Sequence, residues 1–147
     1  MEITMRPIGI IHSPFTEKEQ TPIQSTRSQA IGTVEVYPEF ADGLEDIEHL
    51  SHLHLFYVFH RSPGFQLRVK PFLDDHEHGV FATRHPCRPN PLGMSTVRLV
   101  TRMGNVLTIE GVDVLDGTPL LDLKPYIPDF DMQKDVRAGW YETRSKK

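Results

Sequence analysis

Hydrophobic side chains recur at every second position over most of the chain, the spacing of half-buried strands rather than helices. Gly32–Tyr37 (GTVEVY) alternates cleanly. His52–His60 (HLHLFYVFH) is the most apolar stretch and predicts a central strand, with His52, His54 and His60 on one face. Shorter strands are predicted over Pro7–Ile11, Leu67–Pro71, Val80–Thr83, Met94–Thr101, Val106–Val112 and Leu120–Leu123. Two of these flank Met103-Gly104-Asn105, a hairpin signal. Asp116-Gly117 marks another turn. The acidic stretch Pro38–Leu50 predicts one or two short helical turns. Thr16–Gln29 is polar, lies near Pro14 and Pro22, and reads as a loop. From Pro128 onward the chain reads as a packed turn and a frayed tail. Many short strands and frequent turns predict an all-β barrel or sandwich. A glycine-rich strand-to-helix turn is missing, which argues against a doubly wound nucleotide fold.

At 147 residues the chain reads as a single domain over residues 1–147. Its one cysteine excludes an internal disulfide framework and any cysteine-rich zinc site, and fits a reducing, cytoplasmic location. The N-terminal apolar run IGII is too short for a signal peptide or a membrane span. Net charge is −4, against a general nucleic-acid coat but compatible with a local basic patch. Arg68, Lys70, Arg98 and Arg102 are cations that such a patch can draw on.

Four groups of residues carry candidate chemistry. His49, His52, His54, His60, His76 and His78 are potential metal ligands, but their spacing matches no zinc motif, so they read as structural and no metal is expected. In GVFATRHPCRPNPLGMS (Gly79–Ser95), Arg84 and Arg88 stand four apart on a path stiffened by Pro86, Pro89 and Pro91. A guanidinium on a rigid loop suits a carboxylate or phosphate, and equally a solvated surface. Cys87 lies between these arginines, with His85 the only neighbouring base for a nucleophile; an incidental side chain is the alternative. In LDGTPLLDLKPY (Leu115–Tyr126), Asp122 and Lys124 share a strand face, as an ion pair or as part of a site, and Asp116 caps a turn or serves a ligand.

Taken together, IGIIHSPF (Ile8–Phe15), LSHLHLFYVFH (Leu50–His60), the arginine loop and LDGTPLLDLKPYIP (Leu115–Pro128) resemble the TrmO family, also called TsaA-like or YaeB-like. The resemblance spans nearly the whole chain. It implies a single compact β-barrel with short helical turns and no Rossmann motif, S-adenosylmethionine as cofactor, and methyl transfer to N6 of the threonylcarbamoyl-adenosine at position 37 of tRNA. It also implies a homodimer. The longer members carry an extension after the barrel; this chain ends soon after KPYIPDFD, so no extension is expected. By position, the resemblance assigns cofactor contacts to Ile23, Gln24 and Ser25, to His60 and Arg61, to Arg84, to Met94, and to Leu115, Asp116, Gly117 and Thr118. His85 and Cys87 stand where the family often has a small residue and an aromatic or aliphatic one.

Methyl transfer from a sulfonium is a direct displacement, so the protein must mainly align the reacting atoms. The adenine N6 lone pair is delocalised, and a carboxylate accepting its N–H helps by orientation and by taking the proton. Asp116 is assigned that role first and Asp122 second, as the carboxylates inside the two long family strings. Arg88, Asn90, Lys124 and Tyr126 are candidate substrate contacts: Arg88 to a phosphate or to its own loop, Asn90 to an adenine edge or the backbone, Tyr126 as a stacking ring. Phe59 reads as core rather than as a stacking ring. The anticodon loop of tRNA is the expected partner. Two other readings compete: methyl transfer to a small molecule or protein, and a barrel that binds the cofactor without catalysis.

Overall fold

The computed structural model describes residues 1–23 and 28–146. Six antiparallel strands close a barrel in the order β1 (Gly9–His12), β2 (Ile31–Val36), β7 (Val106–Glu110), β6 (Leu92–Met103), β3 (His52–Val58) and β8 (Thr118–Pro125), with β8 pairing back to β1. Closure leaves no barrel edge unpaired. A separate two-residue ladder joins β4 (Arg68–Val69) to β5 (His78–Gly79). Among the described residues the one short α-helix, α1, is Pro128–Asp131. Among the described residues no helix is long and apolar enough to cross a membrane, and no three metal-binding side chains cluster.

Strand alternation builds the core. Val34 and Val36 of β2, Leu53, Leu55 and Tyr57 of β3, Val97 and Leu99 of β6, and Leu107 and Ile109 of β7 point inward and are buried. Each such aliphatic side chain contributes about 1.5–3 kcal/mol relative to exposure. β6 serves two neighbours: Leu92–Arg98 pairs with β3 and Arg98–Met103 with β7, a register shift near Leu99 turning the strand between them. The Gly104-Asn105 turn is the predicted hairpin, and the Asn105 side chain donates to Val36 O at 2.7 Å.

The structure corrects several expectations. Val80–Ala82 is a 3-10 turn rather than a strand: pairing ends at Gly79, and the Thr83 N–H and hydroxyl both return to Val80 O, at 3.1 and 2.9 Å. The first strand is Gly9–His12, two residues beyond the expected start. The tail is anchored rather than frayed. Trp140 stacks on His78 and donates its indole N–H to Ala82 O at 2.7 Å. Ser145 donates its N–H and hydroxyl to Asp74, at 3.1 and 2.9 Å. Arg98 pairs with Glu110 and Arg102 with Glu48, each at 3.0 Å, so both carry an acidic partner into any basic patch.

Asp74 is the knot of that anchor. Its 4% exposed carboxylate also accepts from His78 Nε2 at 2.6 Å. The His78 bond first, then the Ser145 N–H, hold its carboxyl well below the usual carboxylate range. A depressed folded value gives stability that is present above the unfolded value of about 3.9 and is lost as pH falls towards the folded one. Asp74→Asn is therefore expected to lower Tm at pH 7, with the gap to wild type narrowing below about pH 4. A thermal melt series in which the gap stays constant from pH 7 to pH 3 contradicts this.

Candidate functional site at the barrel rim

One end of the barrel gathers the distinctive strings. The end of β1 leads into Ser13–Thr16, and the end of β3 into Phe59–Arg61. The start of β6 follows the arginine loop, and the start of β8 follows the Leu115–Gly117 turn. Hydrogen bonds lock these pieces together. Asp116 N–H donates to Phe15 O at 2.8 Å and Gly117 N–H to Ile11 O at 2.9 Å. In return Ser13 N–H donates to Asp116 Oδ1 at 3.0 Å, and the Ser13 hydroxyl to Val114 O at 2.6 Å. Gly117 sits at φ 84°, a conformation its lack of Cβ permits. Thr118 caps the turn by donating its hydroxyl to Leu115 O at 2.6 Å. Arg61 closes the arc with a bond to Thr16 O at 3.2 Å.

His12 sits behind Asp116, its Nδ1 3.6 Å from Oδ1 and its Nε2 3.2 Å from Glu35. Both the His12 and the Asp116 side chains are nearly half exposed, so water and ligand reach them.

Beside this turn runs a buried polar chain. Ser95, 3% exposed, donates to Asp113 Oδ1 at 2.5 Å, which uses its single hydroxyl proton. Tyr57 must then donate to Ser95 Oγ, at 2.8 Å. Burial first, and the Asp113 carboxylate second, push the Tyr57 phenol far up, so it remains a donor at neutral pH. The charge of Arg84 acts on the same phenol with the opposite sign, which places Arg84 near this chain. Gly93 faces Tyr57 across the ladder. A Cβ at Gly93 would lie 2.3 Å from the Tyr57 ring and 2.8 Å from that of Phe59. Phe59 packs edge-on to Tyr57, partly buried against the core, as expected. The Gly-x-Ser of the arginine-loop string thus seats one ring and holds its hydroxyl.

The arginine loop is self-supporting. Arg88 donates from Nη1 to Thr83 O and His85 O, at 2.7 and 3.1 Å, so at least this edge of its guanidinium holds the loop. His85 Nδ1 accepts Cys87 N–H at 3.1 Å. Burial, then the charges of Lys18 and Arg88, lower the His85 pKa and keep that nitrogen an acceptor. With His85 turned to the backbone and Ser62 Oγ 3.9 Å from Cys87 Sγ, the pair forms a loop brace and no thiol–imidazole dyad.

The predicted site residues divide. His60, Arg61, Leu115, Asp116, Gly117 and Thr118 come together at the rim, with Arg84 beside them. Ile23 is 37% exposed in the loop after β1, while Gln24 and Ser25 lie outside the described residues. Met94 is on the outer face of β6 opposite Phe56, not in the mouth. Asn90 is exposed on the loop just before β6. Asp122, Lys124 and Tyr126 are not brought to the rim. At about 3.3 Å per residue, Asp122 and Lys124 are roughly 13 and 20 Å along β8 from Thr118, on its outer face. Tyr126 packs edge-on to His52 and His54. A cleft of about 710 Å³ opens at that opposite end, between the Pro38–His49 turns and the end of β8, and holds none of the rim residues. Its position makes it no part of this site. The residues not assigned from sequence are His12, Ser13, Tyr57, Ser95 and Asp113; all but Asp113 lie within the four quoted strings, and Asp113 stands two residues before LDGT.

Residues 10–132 match the family model described as the tRNA-methyltransferase O N-terminal domain. The chain belongs to the TrmO family. Among similar proteins, a probable S-adenosyl-L-methionine-binding protein of Pyrococcus abyssi is 59% identical over 95% of this chain and 77% of its own length. The mouse tRNA (adenine(37)-N6)-methyltransferase is 35% identical over 88% of this chain and 32% of its own length. A crystal structure of TrmO from Pseudomonas aeruginosa superposes with a TM-score of 0.82 at 39% identity, covering 100% of this chain and 65% of that one. The chain spans less than two thirds of the solved TrmO and about a third of the mouse protein.

The Gly93 seat is testable. Gly93→Ala overpacks Tyr57 and is expected to cost about 1–3 kcal/mol. For a domain of this size that is a Tm loss of roughly 2–12 °C. Ser95→Ala strands the Tyr57 hydroxyl and is expected to cost about the same. Scanning calorimetry showing either variant within 1 °C of wild type contradicts the described packing.

Proposed function

We propose that this TrmO barrel binds S-adenosylmethionine at the rim and transfers its methyl group to N6 of adenosine 37 in tRNA. The observation that carries the reading is the locking of the LDGT turn to the IHSPF segment at one barrel end, within a chain that matches the TrmO model over residues 10–132. The residues fit the cofactor. Where a Cβ would stand on Gly117 no atom lies within 4 Å, so the turn is open to a ligand. A zwitterionic ligand finds guanidinium groups at Arg61 and Arg84 and a carboxylate at Asp116. His60, Ile23, Gln24, Ser25, Leu115 and Thr118 complete the proposed contacts, while Met94, on the outer face of β6, stands apart from them in the same chain.

When bound, S-adenosylmethionine would supply an electrophilic methyl carbon to N6 and leave as the neutral thioether S-adenosylhomocysteine. Arg61 and Arg84 would hold its carboxylate. Asp116 Oδ1 is occupied by Ser13, which fixes the carboxylate plane, and Oδ2 accepts the N6–H and orients the lone pair. His12 stands beside the carboxylate, its Nδ1 3.6 Å from Oδ1 and its Nε2 3.2 Å from Glu35, and the proton leaves the half-exposed Asp116 to solvent. Asp122 is too far along β8 from the rim to share this role in the same chain. The alignment itself is the larger effect, worth up to about 7–11 kcal/mol of the barrier.

The anticodon loop of tRNA is the proposed partner, a second copy of the chain the proposed dimer mate, and the cytoplasm the proposed location. The exposed apolar outer face of β6, with Leu92 and Met94, supports dimerisation. Methyl transfer to a small molecule or protein is the second reading, favoured by the net charge of −4 and by the pairing of Arg98 and Arg102 with acids.

Calorimetric titration with S-adenosylmethionine is expected to show saturable binding near one per chain. Arg84→Ala is expected to weaken it by about 10- to 150-fold, the loss of one charge-assisted bond. Mass spectrometry of tRNA nucleosides after reaction is expected to show one added methyl on the position-37 nucleoside. No binding at millimolar cofactor overturns the assignment. Binding without methylated tRNA moves the second reading forward.

A further inference from the structure

Residues 59–91 leave the barrel at the end of β3 and return at the start of β6, with Phe59 N–H bonded to Pro91 O at 2.8 Å. The segment is a flap hinged on the rim that holds the proposed site. Within it, Val80 N–H donates to Leu67 O at 2.9 Å and Gln66 N–H to Cys87 O at 3.3 Å. The stretch around Phe65–Leu67 therefore runs beside the Val80–Ala82 turn and the arginine loop.

That turn is held from every side. Val80 is 1% exposed, Thr83 bonds back to its carbonyl, Trp140 grips Ala82 O, and Arg88 grips Thr83 O. Phe81 lies between these anchors and is 75% exposed. An aromatic ring on a mobile loop can fold onto the surface; this one is fixed in water by its backbone. Arg88 brings its guanidinium carbon to 6.0 Å from the Phe81 ring centroid. Phe65 and Leu67, alternate residues of the neighbouring stretch, are 57% and 60% exposed. Exposed apolar side chains on neighbouring, hydrogen-bonded stretches mark a contact site rather than a core.

Charge decides what fits there. The flap carries five Lys or Arg against three Asp or Glu, while the whole chain is net −4. Two of the three acids are engaged internally, Asp74 with His78 and Ser145 and Asp75 with Lys146. An exposed ring paired with a guanidinium, on the cationic part of an acidic protein, matches a base with its phosphate.

We infer that Phe81, braced by Arg88, is a stacking platform for an unpaired base of the RNA substrate beside the acceptor adenosine. This rests on the RNA methyl-transfer reading above and assigns how that RNA is held. Stacking takes the flanking base out of the loop stack and leaves the acceptor free to enter the rim. The bonds from Arg88 to Thr83 O and His85 O hold the guanidinium beside the ring, on the segment that re-enters the barrel at the rim.

The test uses the whole chain and an anticodon stem-loop carrying 2-aminopurine next to the acceptor. Wild-type protein is expected to change the 2-aminopurine fluorescence on binding. Phe81→Ala is expected to abolish that change and weaken RNA binding by about 5- to 150-fold. Phe81→Trp is expected to restore both. S-adenosylmethionine affinity and Tm are expected to stay at wild-type values in both variants, since the ring is exposed. Unchanged RNA affinity and fluorescence in Phe81→Ala, with wild type still methylating the RNA, overturns the platform and leaves the methyl-transfer reading standing. Wild type that binds cofactor but neither binds nor methylates the stem-loop overturns both. A change of sedimentation behaviour in Phe81→Ala assigns the surface to a protein contact and also overturns the inference.

Discussion

The hydrogen-bonded chain from Tyr57 through Ser95 to Asp113 is the constraint on which the rim depends. It joins β3, β6 and the segment before β8 at the one level where the barrel must open to be useful. Nearly every other inward side chain is aliphatic, so strands could slide with modest loss; a buried hydroxyl pair that ends on a carboxylate cannot. Breaking it strands polar groups at about 1–3 kcal/mol each. Gly93 belongs to the same device, because only a residue without Cβ admits the Tyr57 ring. The Leu115–Gly117 turn begins two residues after Asp113, so its position is inherited from this chain.

From that anchor the division of labour follows. The barrel fixes the turn, and the turn fixes Asp116 against Ser13. The flap leaves and re-enters at the same rim, so whatever it recognises is delivered there. The opposite end carries acidic turns and paired arginines and closes the barrel without sharing in the site. The chain thus concentrates positive charge on a segment braced by its own hydrogen bonds, although its net charge is negative. Rigidity matters because displacement on a methyl carbon depends on alignment more than on acid strength.

Much of the fold was legible because period-two alternation is a direct record of which face is buried. GTVEVY and HLHLFYVFH fall on β2 and β3 within two residues, and Gly104-Asn105 makes the hairpin. Val80–Thr83 misled because three apolar residues in a row carry no record of their backbone; the hydroxyl of Thr83 decides it. The tail misled because its anchor, Asp74, is some seventy residues distant in sequence. For the site, the family strings located the rim, and Asp116, Gly117 and Arg61 meet there. Asp122, Lys124 and Tyr126 were grouped with them because they share a string, yet an extended strand carries them away at about 3.3 Å per residue. Tyr57, Ser95 and Asp113 were unreadable for the opposite reason: their partnership joins two strands and the segment before β8 and has no local signature.

If the Tyr57-anchored rim holds the cofactor, titration with S-adenosylmethionine followed by backbone amide shifts will perturb His12–Thr16, Phe59–Arg61, Arg84 and Asp113–Thr118, and leave the Pro38–Leu50 turns and Asp122–Tyr126 silent. Perturbations centred instead on the 710 Å³ cleft at the opposite end, with the rim unmoved, would contradict that placement.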